Sequence, residues 1–168
     1  VKLTPIKMGA IIYKGIDNSH EDNLALNIIS YLLTNGATGL IDKAMVNHDI
    51  MLGMMMPLSL EDYGANIFLY VPKILGQSHE EAETIIFDAV NQIKAGNFSD
   101  DLLEAAKTTI LQDRLRSLEG IDNLSSIFMD LEGRGMTFDD YIEETEMIKN
   151  ITKEDVIAVT NKYFTENR

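Results

Sequence analysis

Two stretches in the second half of the chain decide its fold, Ser99-Asp100-Asp101-Leu102-Leu103-Glu104-Ala105-Ala106-Lys107 and Ile151-Thr152-Lys153-Glu154-Asp155-Val156. Each places oxygen-bearing side chains just before an amphipathic run, where the free N–H groups of a helix start need acceptors. Thr152 and Asp155 have the three-residue spacing of a capping box, whereas Ser99 has no glutamate or glutamine at that distance. Both stretches predict the first turn of a helix.

Apolar residues recur at helical spacing over most of the chain. After residue 78 this spacing predicts five helices, at 78–94, 99–118, 121–132, 137–147 and 152–164. A sixth helix is predicted at 24–33, where Asn35-Gly36 ends it, and a shorter one at 38–47. Helices therefore dominate the second half of the chain.

Strand-like runs are confined to the first half of the chain, at 8–16, 49–57 and 64–71. The last two are separated by a short polar stretch, which predicts an antiparallel hairpin or meander. Early strands and late helices predict an α+β fold, with a mostly antiparallel sheet packed on one face by several helices. The length of 168 residues predicts one domain spanning 1–168.

The composition excludes several classes of function. A formal net charge of −13, from 27 acidic and 14 basic side chains, disfavours nucleic acid and favours cationic partners. The absence of cysteine excludes disulfides, a thiolate nucleophile and a cysteine zinc site, and leaves cytoplasm and periplasm both open. The longest apolar run, 50–58, is far shorter than the roughly 20 residues of a membrane span, so we expect a soluble chain.

Histidine is the usual zinc ligand or general base, and the chain has three, His20, His48 and His79. The run His79-Glu80-Glu81-Ala82-Glu83 begins like a zinc motif, but Glu83 stands where the second histidine is needed. We interpret it as an acidic helix start, which complements the helix dipole, and interpret the surroundings of His20 in the same way. The sequence predicts no catalytic, cofactor-binding or metal-binding residue.

Three other patterns suggest sites but are better explained by structure. The acidic run 17–22 lacks the glycine and the final glutamate of a calcium loop. The segment 35–39 has glycines before a helix but no phosphate-binding lysine, which indicates a turn between helices. Four methionines, Met51, Met54, Met55 and Met56, could form a soft binding surface, but methionine in a strand indicates core packing.

The order of these motifs resembles the second, non-zinc domain of the pitrilysin/insulysin family of zinc metallopeptidases. The matching parts are the helix and turn at 29–41, with Gly36 and Leu40 in place, Lys107, and the 152–156 helix start. The resemblance implies an α+β domain without metal, a parent protein that is a peptide-degrading zinc enzyme, and zinc held by an H-x-x-E-H motif in another domain. The implied partners are the zinc-bearing and clamping domains of the same parent chain and its peptide substrate.

One departure from the family pattern bears on the role of the domain. Where domains of the substrate-clamping half carry an arginine and a tyrosine directed at the peptide, this chain has Met45 and Leu52. The resemblance therefore implies a domain that scaffolds the zinc-bearing one. Two alternatives remain: a structural or assembly subunit without peptidase activity, like the processing-peptidase core proteins, and a free-standing acidic binding module. An H-x-x-E-H motif in the parent protein would favour the role as a non-catalytic domain of a zinc metallopeptidase.

Overall fold

A computed structural model describes residues 7–165, so both ends of the predicted 1–168 domain lie outside the described residues. The elements follow the chain in the order β1 (Gly9–Lys14), α1 (Asn23–Leu33), α2 (Leu40–Val46), β2 (Leu52–Ser59), β3 (Gly64–Val71), α3 (His79–Lys94), α4 (Asp100–Ser117), α5 (Ile121–Gly133), α6 (Phe138–Asn150) and α7 (Lys153–Tyr163). This is an α+β fold, as the sequence predicts. None of these helices combines the length and the apolar character that crossing a membrane requires.

The three described strands form one antiparallel sheet in the order β1-β3-β2. β2 and β3 form the predicted hairpin, with Leu52 opposite Val71 and Ser59 opposite Gly64. β2 begins three residues later than the sequence indicates and continues to Ser59. Pro57 lies in this edge strand, which is where a sheet tolerates a residue without an N–H group.

Helices cover one face of this sheet, and aromatic rings join that face to the end of the chain. α1 contacts β2 and α3 contacts β3. The ring of Phe164, the residue after α7, lies 5.2 Å from the ring of Tyr13 on β1 and 5.7 Å from that of Phe68 on β3. Phe68 and Phe164 are fully buried, so the last helix is anchored at the centre of the core.

The sequence predicts that both long helices, 78–94 and 99–118, pack on the sheet, and the structure corrects this for α4. α4 packs mainly on α1 and α6, and thus lies in a second layer of helices behind α1. The reason is that α1 is apolar almost all round, with Leu24, Leu26 and Ile29 among its buried residues. A helix with no polar face must be covered on both sides.

The helices that begin after Ser99 and Thr152 have the predicted caps. The Ser99 hydroxyl accepts the Leu102 N–H at 3.2 Å. At α7 the capping box is complete, because the Thr152 hydroxyl accepts the Asp155 N–H at 3.2 Å and the Asp155 carboxylate accepts the Thr152 N–H at 2.8 Å. Local sequence therefore fixes where α4 and α7 begin.

Candidate functional site

The second face of the sheet carries no helix among the described residues, and it is both apolar and exposed. Because side chains alternate along a strand, every second residue of each strand lies on this face, which we call the outer face. Three rows of residues cross this face from β1 through β3 to β2. They are Ala10, Leu69 and Met54; Ile12, Ile67 and Met56; and Lys14, Ala65 and Leu58. A fourth row has only Val71 on β3 and Leu52 on β2. An antiparallel sheet with one face on the core and the other in water normally alternates apolar with polar residues along its strands, and this sheet does not.

The outer face is accessible as well as apolar. Ile12 is 53% exposed, and Met54, Met56 and Leu58 are each about two fifths exposed, in the range 37–44%. The inward neighbours on the same strands, among them Ile11, Met55 and Phe68, are almost completely buried. The sheet therefore has one apolar face that forms the core and a second that residues 7–165 leave largely exposed, apart from Val71, which is 5% exposed.

The position of the methionines corrects a sequence-based prediction. The interpretation as core packing is right for Met55, which is 5% exposed, and wrong for Met51, Met54 and Met56. In a strand, consecutive residues point to opposite faces, so a run of three methionines cannot all face the core. The signal in the sequence is that the alternating residues of β2 and β3 on the outer face are all apolar, whereas a strand face in water usually carries polar residues.

The electrostatic character of this face differs from that of the whole molecule. Lys14, at the end of β1, is the only charged residue in the three described strands. None of the carboxylates behind the net charge of −13 lies on these strands. The outer face is thus a nearly neutral apolar surface on a strongly acidic chain.

The near-match to a zinc motif forms a hydrogen-bonded group at the start of α3. The Tyr70 hydroxyl donates to the Glu83 carboxylate at 2.6 Å, and the Nδ1 atom of His79 lies 3.2 Å from the same hydroxyl. Burial, and then the hydrogen bond and charge of Glu83, raise the pKa of Tyr70 to about 12. The hydroxyl stays protonated at neutral pH and donates its one proton to Glu83, so toward His79 it can act only as an acceptor.

The other two histidines lie in separate local structures. His20 accepts the Asp22 N–H at its Nδ1 atom, at 3.1 Å, just before α1. His48 has a positive φ of 59° after α2. Within residues 7–165 no hydrogen bond or ion pair joins any two of the three histidines, and no group of three or more His, Asp or Glu is arranged to hold a metal ion. The residues present do not fit a zinc site, although the absence of metal in this chain remains a prediction.

The two loops that suggest ion sites use their polar groups internally. In the 17–22 loop, one carboxylate oxygen of Asp17 accepts the backbone N–H of Ser19 at 3.0 Å and its hydroxyl at 2.6 Å. These hydrogen bonds lower the pKa of Asp17. In the 35–39 turn, the carboxylate of buried Asp42 accepts the N–H groups of Asn35, Ala37 and Gly39. These N–H groups could otherwise bind a phosphate, but they already donate to the Asp42 carboxylate.

Met45 and Leu52, the residues at the arginine and tyrosine positions of the family pattern, have structural surroundings. The sulfur of half-buried Met45 lies 3.3 Å from the backbone nitrogen of Gly53, the second residue of β2. Leu52 begins β2 on the outer face. Neither residue can supply the charge or the hydroxyl of the family pair, and the structure gives no replacement for them at these positions.

Comparison with solved structures gives the fold of the chain. A protease from Helicobacter pylori superposes with a TM-score of 0.86 at 18% identity, covering 96% of this chain and 39% of that protein. The inactive peptidase domain of a candidate zinc protease from Bordetella parapertussis superposes with a TM-score of 0.82 at 14% identity, covering 98% of this chain and 92% of that one. An M16 peptidase inactive domain from Pseudomonas fluorescens gives a TM-score of 0.74 at 12% identity over 96% of this chain.

These likenesses bear on the fold and not on the activity. No protein-family model and no curated protein sequence matches the chain. The chain has the fold of inactive peptidase domains, which confirms the α+β fold that the sequence resemblance implied. It spans about two fifths of the Helicobacter protein, and nearly all of the Bordetella domain.

Proposed function

We propose that this chain is a non-catalytic domain of an insulysin-like zinc metallopeptidase, and that its outer face forms part of the wall of the chamber that holds peptide substrates. The observation that carries the proposal is the apolar outer face, most of which residues 7–165 leave exposed. Uncovered apolar surfaces of this kind mark interaction sites in soluble proteins. In this proposal the chain is one α+β domain of a longer protein.

The composition of the outer face suits an unfolded peptide. Methionine side chains are flexible and polarizable, so Met54 and Met56 can adapt to many different apolar side chains. Ile12 on β1 and Ile67 on β3 lie in the same row as Met56 and, being β-branched, make the centre of the face stiffer. A neutral surface of this type binds by burying apolar area, with little demand on the sequence of the peptide.

The chain supplies no group for peptide hydrolysis in this proposal. Zinc and the catalytic base belong to a separate zinc-bearing domain of the parent protein, and a clamping domain closes the chamber. The fold of the chain, and its similarity to domains described as inactive, support this division of roles.

The test uses the full-length protein that contains this chain, assayed for zinc content and for cleavage of an unstructured peptide. The double variant Ile12→Glu/Met56→Glu places two charges in the central row of the outer face. We expect KM to rise about tenfold with kcat and zinc content nearly unchanged, because two apolar contacts with substrate are lost. The matched control is Leu115→Glu/Ile121→Glu, which charges two exposed apolar residues of the helical layer.

The alternative, a structural or assembly subunit, predicts a different result. In that case the outer face is permanently covered by another subunit, so the same double variant would break the assembly, which light scattering measures. A parent protein that lacks the H-x-x-E-H motif and zinc, and cleaves no peptide, would overturn the proposed function in favour of this alternative.

A further inference from the structure

A groove on the helical side of the molecule is lined by carboxylates, which the strands of the outer face lack. It consists of two adjoining cavities of about 550 and 360 Å³, which share Glu21, Leu24 and Met147 in their walls. It lies between the start of α1 and helices α6 and α7. We call it the acidic groove.

The floor of the acidic groove is apolar. Leu24, Ala25 and Val159 are nearly buried beneath it. Met147, which lines both cavities, is 48% exposed and is therefore not part of the core. An apolar side chain of a ligand could cover Met147 and the floor, and the burial would stabilise the complex.

Carboxylates surround this floor. Six of them line the two cavities, Glu21, Asp22, Asp140, Glu143, Glu144 and Asp155, and the cations that line them are Arg134 and Lys162. Both cations are already used, since Lys162 lies 2.6 Å from the Asp22 carboxylate and Arg134 pairs with Glu144. The groove therefore presents a surplus of negative charge.

The carboxylates differ in how firmly they are held. Asp140 and Asp155 are fixed by the capping boxes of α6 and α7, and the hydrogen bonds from Thr137 and Thr152 lower their pKa values. They are thus ionised and positioned before any ligand arrives, which reduces the entropy lost on binding. Glu21 and Glu143 are exposed and form no ion pair or side-chain hydrogen bond within residues 7–165, so they are free to meet a cation.

From this arrangement we infer that the acidic groove is a docking site for a basic segment of a partner polypeptide, in which lysine or arginine side chains flank an apolar one. The cations meet the carboxylates of the rim and the apolar side chain packs on Met147. The argument is charge complementarity over an apolar floor, and it does not depend on the proposed peptidase role. A neutral apolar segment suits the outer face better and would leave these carboxylates unpaired.

The test measures binding of fluorescein-labelled 12-residue peptides to the 168-residue chain by anisotropy at low salt. The probe contains lysine and leucine, and two comparison peptides replace leucine by glycine or lysine by glutamate. We expect the lysine–leucine peptide to bind tightest, and the Glu21→Gln/Glu143→Gln variant to bind it about fivefold more weakly. Met147→Ser should weaken the lysine–leucine peptide and not the lysine–glycine one.

The matched control is Glu80→Gln/Glu119→Gln, which changes the net charge equally at exposed positions that do not line the groove. Circular dichroism confirms that each variant is folded. Equal weakening by both double variants would overturn the proposal, because it would mean attraction to net charge alone. Equal affinity for the leucine and glycine peptides, or no binding of either, would overturn it as well.

Discussion

At the scale of single residues, the phenols of Tyr31, Tyr70 and Tyr163 donate to carboxylates, and those of Tyr31 and Tyr70 have pKa values raised to about 12. The Tyr31 hydroxyl donates to Asp113 at 2.8 Å, as Tyr70 does to Glu83. Burial, followed by the hydrogen bond and charge of the carboxylate, raises the pKa of these two tyrosines from 10.0 to about 12. Each phenol thus joins a helix to another element: Tyr31 connects α1 to α4, and Tyr70 connects β3 to α3.

These shifts predict the alkaline behaviour of the chain. In the unfolded chain both tyrosines ionise near pH 10, and in the folded chain near pH 12, so their contribution to stability is complete below pH 10 and lost between pH 10 and 12. We expect the free energy of unfolding to fall over this range, and to fall less steeply in Tyr31→Phe/Tyr70→Phe. Denaturant unfolding at a series of pH values measures this, and an unchanged slope in the double variant would contradict it.

A second prediction at this scale concerns Asp42, which is 3% exposed. Its carboxylate accepts three backbone N–H groups of the turn between α1 and α2. Asp42→Ala leaves these donors without their acceptor, and we expect a loss of about 3 kcal/mol in the free energy of unfolding. Asp49→Ala, which changes a carboxylate without such bonds, is the control. Equal loss in the two variants would show that the turn does not depend on Asp42.

At the scale of elements, one carboxylate joins three helices. Glu144 on α6 pairs with Arg114 on α4 at 3.2 Å and with Arg134, which follows α5. The guanidinium carbon of Arg114 also lies 3.9 Å from the centre of the Tyr141 ring. A guanidinium nitrogen of Arg114 donates to the backbone carbonyl of Tyr141. All three charged side chains are less than one fifth exposed, and Glu144 is the anion that both arginines share, although Arg134 also pairs with Asp130 at 3.4 Å.

We therefore predict that Glu144→Gln destabilises the chain by about 3 kcal/mol, since it leaves two largely buried arginines without their shared anion. Glu146→Gln is the matched control on the same helix, because its pair with Lys149 is exposed at both partners and should contribute below about 1 kcal/mol. Chemical denaturation of both variants gives the comparison. Similar midpoints would mean that the three-helix junction is held by apolar packing instead.

The sequence predicts the elements well because their signals are local. Helix starts at Ser99 and Thr152 follow from side chains within three residues, and the 64–71 strand is found with its observed bounds. The layer to which α4 belongs follows from the nearly all-apolar surface of α1, and helical periodicity alone does not say where in space a helix packs. The exposure of the outer face cannot be predicted for a similar reason. Apolar residues at nearly every position of β2 and β3 indicate burial on both faces unless the number of layers packed on the sheet is known.

At the scale of the whole molecule, the carboxylates are separated from the described strands. The strands contain one charged residue, Lys14, whereas helices and loops contain the carboxylates that give −13. The net charge alone would favour cationic substrates through long-range attraction. The arrangement in space indicates otherwise, because such attraction is screened over about 8–10 Å at physiological ionic strength and the outer face carries no carboxylate of its own strands.

The last prediction follows from this separation and rests on the proposed chamber role. If peptides lie against the outer face, cleavage of a basic and of a neutral peptide by the full-length protein should respond alike to salt, so the ratio of their kcat/KM values stays constant across a salt series. Replacing Met54 by lysine should lower the rate for the basic peptide more than for the neutral one, since it adds a cation where the substrate lies. Leu115→Lys, on the helical side, is the control for net charge.

A ratio that falls steadily as salt rises would place the acidic residues of the helices and loops along the path of the substrate. The outer face would then not be the surface that selects the substrate.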